Sequence, residues 1–304
     1  MSSNVAVEVQ RPINGFGGQE LERTSDNIDQ VNLLAAQLRE SKDPQKKVLF
    51  RQYKSAEDSV KEFYIKQHTN QTYDFNIRVR QNVKDREPVW MTVWQAIELL
   101  NTYTDDSDPD TQLSQIEHLL QTAEAMRRDG RPRWMILTGL IHDLGKLLSF
   151  FGAADQWEVV GDTFPVGCAF DEDIVFSETF ENNPDYHNPK YNTKYGIYSP
   201  NCGLDNVMMS YGHDEYLYHV AKTWSTLPQE ALDMIRYHSF YSMHRDGKYK
   251  HLMNEEDEKR LAAVKMFNPY DLYSKADAPP NVEELKPYYL ELIKEFFPQE
   301  VIAW

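Results

Sequence analysis

The chain has 304 residues, of which 41% are apolar and 26% charged; this describes a globular protein with enough length for a substantial core and excludes a disordered one. Its formal charge of −16 argues against nucleic acid and anionic membrane surfaces as partners, because phosphate would be repelled, and makes a small neutral or cationic substrate the simpler expectation. No apolar run reaches the ~18 residues of a spanning helix, and Met1 to Glu8 lack the basic-then-apolar order of a secretory signal, so a cytoplasmic protein is expected. Two cysteines, Cys168 and Cys202, stand without metal-type spacing and predict buried free thiols in a reducing compartment.

Residues 1–45 read as a flexible tail, polar and aperiodic, with Gly15, Gly17 and Gly18 clustered. Within it only Asp29 to Glu40, with Val31, Leu34 and Leu38 on one side, has the spacing of a short amphipathic helix. Residues 46–304 are expected to form a single catalytic domain, and helical periods dominate from Ser55 onward. Ser55 and Asp58 have capping-box spacing ahead of Val60, Phe63 and Tyr64, as do Thr92 and Gln95 ahead of Ala96, Ile97 and Leu100. After the acidic turn Asp105-Asp106-Ser107-Asp108-Pro109-Asp110 comes a helix marked by Leu113, Ile116, Leu120 and Ala123. Trp134 to Phe151 is apolar nearly all round, which predicts a central buried helix. A short extended piece, Trp157 to Val160, and a loop rich in Asn, Pro and Tyr from about Glu181 to Gly203 follow. Further helices are predicted over Leu204 to Tyr211, His213 to Thr223, Pro228 to His238, Glu255 to Phe267 and Val282 to Phe296, the last just before the chain's end. The fold class is therefore all-α, a helical bundle with long functional loops and a few short extended segments. No repeat and no Gly-rich phosphate loop is present.

Chemistry concentrates in the histidines, of which there are nine. His142-Asp143 falls inside the most apolar predicted helix, where a charge among Leu140, Ile141, Leu144 and Leu147 is costly unless paired or bound to a metal. His118 has the small Thr122 and Ala125 on its own helical line, leaving room beside the imidazole. His213 opens a helix after Gly212, with a second His-Asp pair, and His238 continues the stripe of Ala231 and Ile235. Asp271 is flanked by aromatics just after a predicted helix. Any one of these fits a satisfied core residue or a turn acid. Four inward histidines with two buried aspartates fit a metal centre better. Nitrogen and carboxylate donors without thiolates suit iron or manganese, or a hydrolytic zinc pair. Asp143, rigidly beside His142, is the natural bridging carboxylate; Asp214, with the polar Glu215 after it, competes for that role but reads as a supporting or surface acid.

The order His118, His142-Asp143, His213, His238, Asp271 resembles myo-inositol oxygenase, a branch of the HD-domain superfamily. So do the strings around it: Gln121-Thr122-Ala123-Glu124, His142-Asp143-Leu144-Gly145-Lys146, Val160-Gly161-Asp162-Thr163-Phe164-Pro165-Val166-Gly167-Cys168, Gly212-His213-Asp214-Glu215-Tyr216, Arg236-Tyr237-His238-Ser239-Phe240-Tyr241 and Asp271-Leu272-Tyr273-Ser274-Lys275. The likeness runs from about Lys47 to Trp304 and is poor from about His244 to Arg260.

The resemblance implies a mixed-valent Fe(II)/Fe(III) pair that uses dioxygen to open the ring of myo-inositol, giving D-glucuronate. One iron would be held by His118, His142, Asp143 and Asp271, the other by Asp143, His213 and His238. It implies a polyol pocket of Asp105, Ser107 and Asp108 of the acidic turn, Lys146, Gly161, Asp162, His213, His238, Ser239 and Lys275, with Arg51 and Tyr64 in a lid-like N-terminal region. Lys146 and Asp143 are the residues expected to act in the chemistry, and a monomer is expected. Such a mix of carboxylates, hydroxyls and amines suits a polyol, which both donates and accepts. The competing reading is an HD-type phosphohydrolase with Lys146 and Lys275 on the phosphate; Asp105, Asp108 and Asp162 would repel that anion.

Overall fold

The computed structural model describes residues 60–103, 114–273 and 280–304. The proposed helix at Asp29 to Glu40, the Ser55/Asp58 cap, Leu113 and the site candidates Arg51, Asp105, Ser107, Asp108 and Lys275 lie outside these residues. So does the tail of residues 1–45.

The described residues are mostly helical. Helix α1 covers residues 60–70. Helix α2 (Tyr73–Asp85) starts where the Thr72 hydroxyl accepts from the Phe75 N–H at 3.1 Å. Strand β1 (Trp90–Thr92) leads into α3 (Val93–Leu100), and the predicted capping box is present, Thr92 and Gln95 satisfying each other's backbone N–H groups. Helix α4 (Gln115–Arg128) begins with the Glu117 carboxylate accepting from the Ser114 N–H at 2.9 Å and its hydroxyl at 2.8 Å.

The long apolar helix predicted over Trp134 to Phe151 is two elements. Helix α5 (Arg133–Ile141) ends at His142, and Leu144–Phe150 continues as a tighter 3₁₀ turn. His142-Asp143 thus sits at a break, not in mid-helix. Gly145 lies in that turn, and a Cβ at that position would collide with the His213 carbonyl, so the start of the next long helix packs against bare backbone.

Helices α6 (His213–Trp224) and α7 (Gln229–Tyr237) stand close to their predicted spans, with Pro228 at the entry of α7. After the short α8 (Tyr241–His244) comes α9 (Glu255–Tyr273). It was expected to stop at Phe267, but it runs through Pro269, so Asp271 occupies its last turn and not a following loop. Helix α10 (Val282–Phe296) matches its prediction.

The chain then closes on itself. Strand β2 (Val301–Ala303) pairs antiparallel with β1 in the register Trp90↔Ala303, Met91↔Ile302 and Thr92↔Val301. Neither strand was foreseen, being only three residues each.

The stretch between α5 and α6 departs most from expectation. Gln156–Glu158 is a 3₁₀ turn rather than an extended piece. Leu204–Asn206 is likewise a single 3₁₀ turn, where a helix to Tyr211 was predicted. Beyond it the backbone is extended: Val166 N–H donates to the Met208 carbonyl at 2.9 Å, and Ser210 N–H to that of Phe164 at 2.7 Å. The loops have their own core, in which Phe164, Val166, Phe180, Leu204 and Met209 are buried with Tyr237 and Phe240. The main core lies among α3 to α7, α9 and α10. Cys168 is buried in the loop core as predicted, whereas Cys202 is half-buried; both are free. Among the described residues no helix is long and apolar enough to cross a membrane.

Candidate metal centre

The break after α5 aims His142 and Asp143 inward, α4 brings His118, α6 begins with His213, α7 ends at His238, and the last turn of α9 carries Asp271. The elements converge because their apolar faces share the main core. All six side chains meet, in two groups.

In the first group His118 Nε2 and His142 Nε2 are 3.3 Å apart, and Asp271 Oδ1 lies 3.2 Å from one and 3.1 Å from the other. In the second, His213 Nε2 and His238 Nε2 are 3.2 Å apart. Asp143 stands between the groups. Its Oδ2 is 3.6 Å from both His118 and His142, while its Oδ1 is 3.5 Å from His213 and 3.8 Å from His238.

The histidine tautomers follow from their outer contacts. His142 Nδ1 donates to the Gly139 carbonyl at 2.8 Å, His213 Nδ1 to that of Val159 at 2.9 Å and His238 Nδ1 to that of Ile235 at 2.9 Å. A carbonyl only accepts, so Nδ1 carries the proton and, in the neutral ring, Nε2 presents a lone pair. The facing Nε2 atoms of His213 and His238 would repel unless a proton or a metal ion stood between them. The donor set fits a metal: the ring orientations are fixed from behind, as in metal sites generally, and every Nε2 has a carboxylate oxygen close by. The clusters His118/His142/Asp271, His142/Asp143/His238 and His213/Asp214/His238 each have the spacing to hold a metal ion.

Electrostatics agree. Burial would push Asp143 up, but the charges of Lys146 and His142 and the hydrogen bond from His238 hold it well below the usual carboxylate range. Asp271 is also held well below it, with burial overcome by His142 and His118. Conversely His118 and His238 are raised: burial opposes this, but Asp271 and Asp143 outweigh it for His118, and Asp214 and Asp143 for His238. The acids held ionised among the imidazole nitrogens put negative charge where a cation could sit.

Lys146 is buried and its Nζ lies 2.9 Å from Asp143 Oδ2, so it is not a lysine snorkelling to water. Tyr64 donates to Asp162 Oδ1 at 2.9 Å. Burial raises Asp162 to about 6, against that hydrogen bond and the charge of Arg245. Gly161 has φ +91°, and a Cβ there would strike Phe63 and Gln67 of α1. The loop thus fits under α1 only without a side chain. Ser239 is buried beside His213, its hydroxyl 3.3 Å from Nε2.

Two residues add to what sequence reasoning found. Asp214 is no surface acid: it is 2% exposed, with Oδ1 2.8 Å from His213 Nε2 and 3.4 Å from His238 Nε2. The identical His-Asp order at 142 and 213 was the available signal, obscured by the polar flank of Glu215. Tyr241 is the second: its hydroxyl is held well above its ordinary value, by burial first and then by the charges of Asp271, Asp162, Asp214 and Asp143.

The class so defined is a helical protein with buried histidine–aspartate groups that could hold metal ions. Residues 57–304 match the myo-inositol oxygenase family. The chain is 55% identical to the probable inositol oxygenase of Oryza sativa subsp. japonica over 259 residues, 83% of this chain and 84% of that one. It is 54% identical to inositol oxygenase 1 of Arabidopsis thaliana, covering 83% of each. Against the inositol oxygenase of Danio rerio the identity is 46%, over 85% of this chain and 94% of that protein. The chain belongs to the myo-inositol oxygenase family, a family of oxygenase enzymes.

Proposed function

We propose that this chain is a di-iron oxygenase that uses dioxygen to cleave the ring of myo-inositol, giving D-glucuronate. The single observation that carries the reading is Asp143, which turns one carboxylate oxygen to each of two imidazole pairs, the disposition of a bridging ligand. One iron would be held by His118, His142, Asp143 and Asp271, the other by Asp143, His213 and His238, a donor set small enough to leave room for substrate and a small molecule. The iron pair, when bound, supplies electrons for dioxygen and the Lewis acidity that favours an ionised substrate hydroxyl.

The remaining work falls to the chain. Lys146, beside Asp143, offers a cation and hydrogen-bond donors to the substrate oxygen at the centre. Asp162 accepts from substrate hydroxyls, with Tyr64 fixing its carboxylate. Ser239 and Gly161 line the same pocket. Arg51, Asp105, Ser107, Asp108 and Lys275 join them by family likeness. Burial of Asp143, Lys146, His213, His238 and Ser239 places these contacts away from bulk water, which preserves their strength. The protein works as a cytoplasmic monomer, residues 46–304 forming its catalytic domain.

Oxygen uptake by iron-loaded protein given myo-inositol and a mild thiol reductant tests the reading, with glucuronate assayed in the product. Uptake matched one-to-one by glucuronate is expected. Turnover of phosphate esters with manganese or zinc in the absence of dioxygen would replace it with a hydrolase.

A further inference from the structure

We propose that Asp214 is a positioning residue for the substrate, acting through Ser239, and not a metal ligand; this deepens the functional reading above and rests on it. Asp214 is one residue beyond His213; both its oxygens accept from Ser239, while Oδ1 also lies 2.8 Å from His213 Nε2. The Ser239 N–H donates to Oδ2 at 3.2 Å and the Ser239 hydroxyl to Oδ1 at 3.0 Å. Asp143, the bridging candidate, instead gives one oxygen to each histidine pair.

The contact has a chemical consequence. A serine hydroxyl has one proton and two lone pairs. With its proton committed to Asp214, Ser239 Oγ turns acceptor towards the centre, where it lies 3.3 Å from His213 Nε2. Ser239 therefore receives a hydroxyl donor of the polyol next to the His213/His238 half of the site. The anchoring extends further, because the Thr163 N–H donates to the Ser239 carbonyl at 2.9 Å. Asp214 thereby holds together the turn after α7 and the loop that carries Gly161 and Asp162.

The test is a double-mutant cycle with Asp214→Asn and Ser239→Ala in iron-loaded protein, reading iron per chain and the EPR signal of the pair, then titrating myo-inositol against that signal. An amide in place of the carboxylate can no longer accept from both Ser239 donors. Each variant is expected to keep its iron and its substrate-free spectrum, and to raise the inositol midpoint on the order of tenfold or more, the size of a hydrogen bond to a charged group. The double variant is expected to be no weaker than the worse single one, because both substitutions break one contact. Loss of iron in Asp214→Asn overturns the proposal in favour of a ligand, and an unchanged midpoint or multiplying effects overturn it outright. Should Asp214→Asn not fold, Asp214→Glu, which keeps the charge but displaces the oxygens, makes the same test with the same outcomes. No inositol response in the wild-type chain overturns the functional reading and this proposal together. A normal wild-type response with unaffected variants overturns this proposal alone.

Discussion

The two halves of the centre are built differently. In the first, the His118 side chain is 25% exposed and that of Asp271 11%, and the donors come from three separated elements, α4, the break after α5 and the end of α9. In the second, His213, His238 and Asp214 are all below 5% exposure. Their helices are fastened to each other by Arg236, whose Nε and Nη2 meet the two oxygens of Glu215 at 2.7 and 3.2 Å. Asp205 accepts from the same guanidinium at 3.1 Å. One half thus opens towards solvent while the other is locked, and Asp143 is their common member. The difference teaches that a metal centre can divide its duties. On the proposed function, the locked half would hold substrate in a fixed place and the more open half would admit a small molecule.

Substitutions should separate the halves. Asp143→Ala is expected to do most, abolishing turnover and metal at both sites; it also removes the acid beside buried Lys146, costing the metal-free fold about 3 kcal/mol or more by denaturant titration. His118→Ala should lose the first metal alone, halving the iron per chain and removing the spectroscopic coupling; full metal content would break the comparison. Lys146→Ala should retain the metals yet lose most inositol turnover, and near-normal turnover would remove that residue from the pocket. Arg236→Lys keeps the charge but not the fork, so affinity for the second metal should fall about tenfold with the first unaffected, measured by graded chelation.

The smallest effect concerns pH. Asp162 is raised from an ordinary 3.8 to about 6, so between those values the folded chain holds a proton that the unfolded chain has released. Its contribution to stability is present below about 4 and is lost as pH rises through 6, about 2–3 kcal/mol in all. Asp162→Asn should therefore gain stability relative to wild type over this window, with no pH-dependent difference above about 7. In the wild type, inositol binding should strengthen as Asp162 ionises.

Much of the site was legible because histidine is rare and its helical lines are easy to follow. The side chains at 118, 142, 143, 213, 238 and 271 do meet. Burial alone, however, does not mark a ligand. His68 is buried too, but its Nδ1 donates to the Thr179 hydroxyl at 2.7 Å, it stacks on Phe180, and burial lowers it to about 3. His244 donates to the His238 carbonyl at 2.8 Å and is lowered to about 4. Which nitrogen is left facing which neighbour is a tertiary fact, and no periodicity carries it. The break at His142 was hidden because Trp134 to Phe151 is apolar nearly all round, and the close approach of the His213 backbone to Gly145 is a contact remote in sequence. Helix α9 departs in the opposite sense, running through Pro269 past its predicted end at Phe267. The loop core from Phe164 to Met209 was invisible because its residues pair across distance rather than along a helix face.

Metal analysis combined with EPR on the iron-loaded chain tests the central claim most directly. Two irons per chain, giving a coupled mixed-valent signal that changes on adding myo-inositol, is the result the proposed function predicts. One iron per chain, or two uncoupled ones indifferent to inositol, would contradict it, because Asp143 could not then be the bridge.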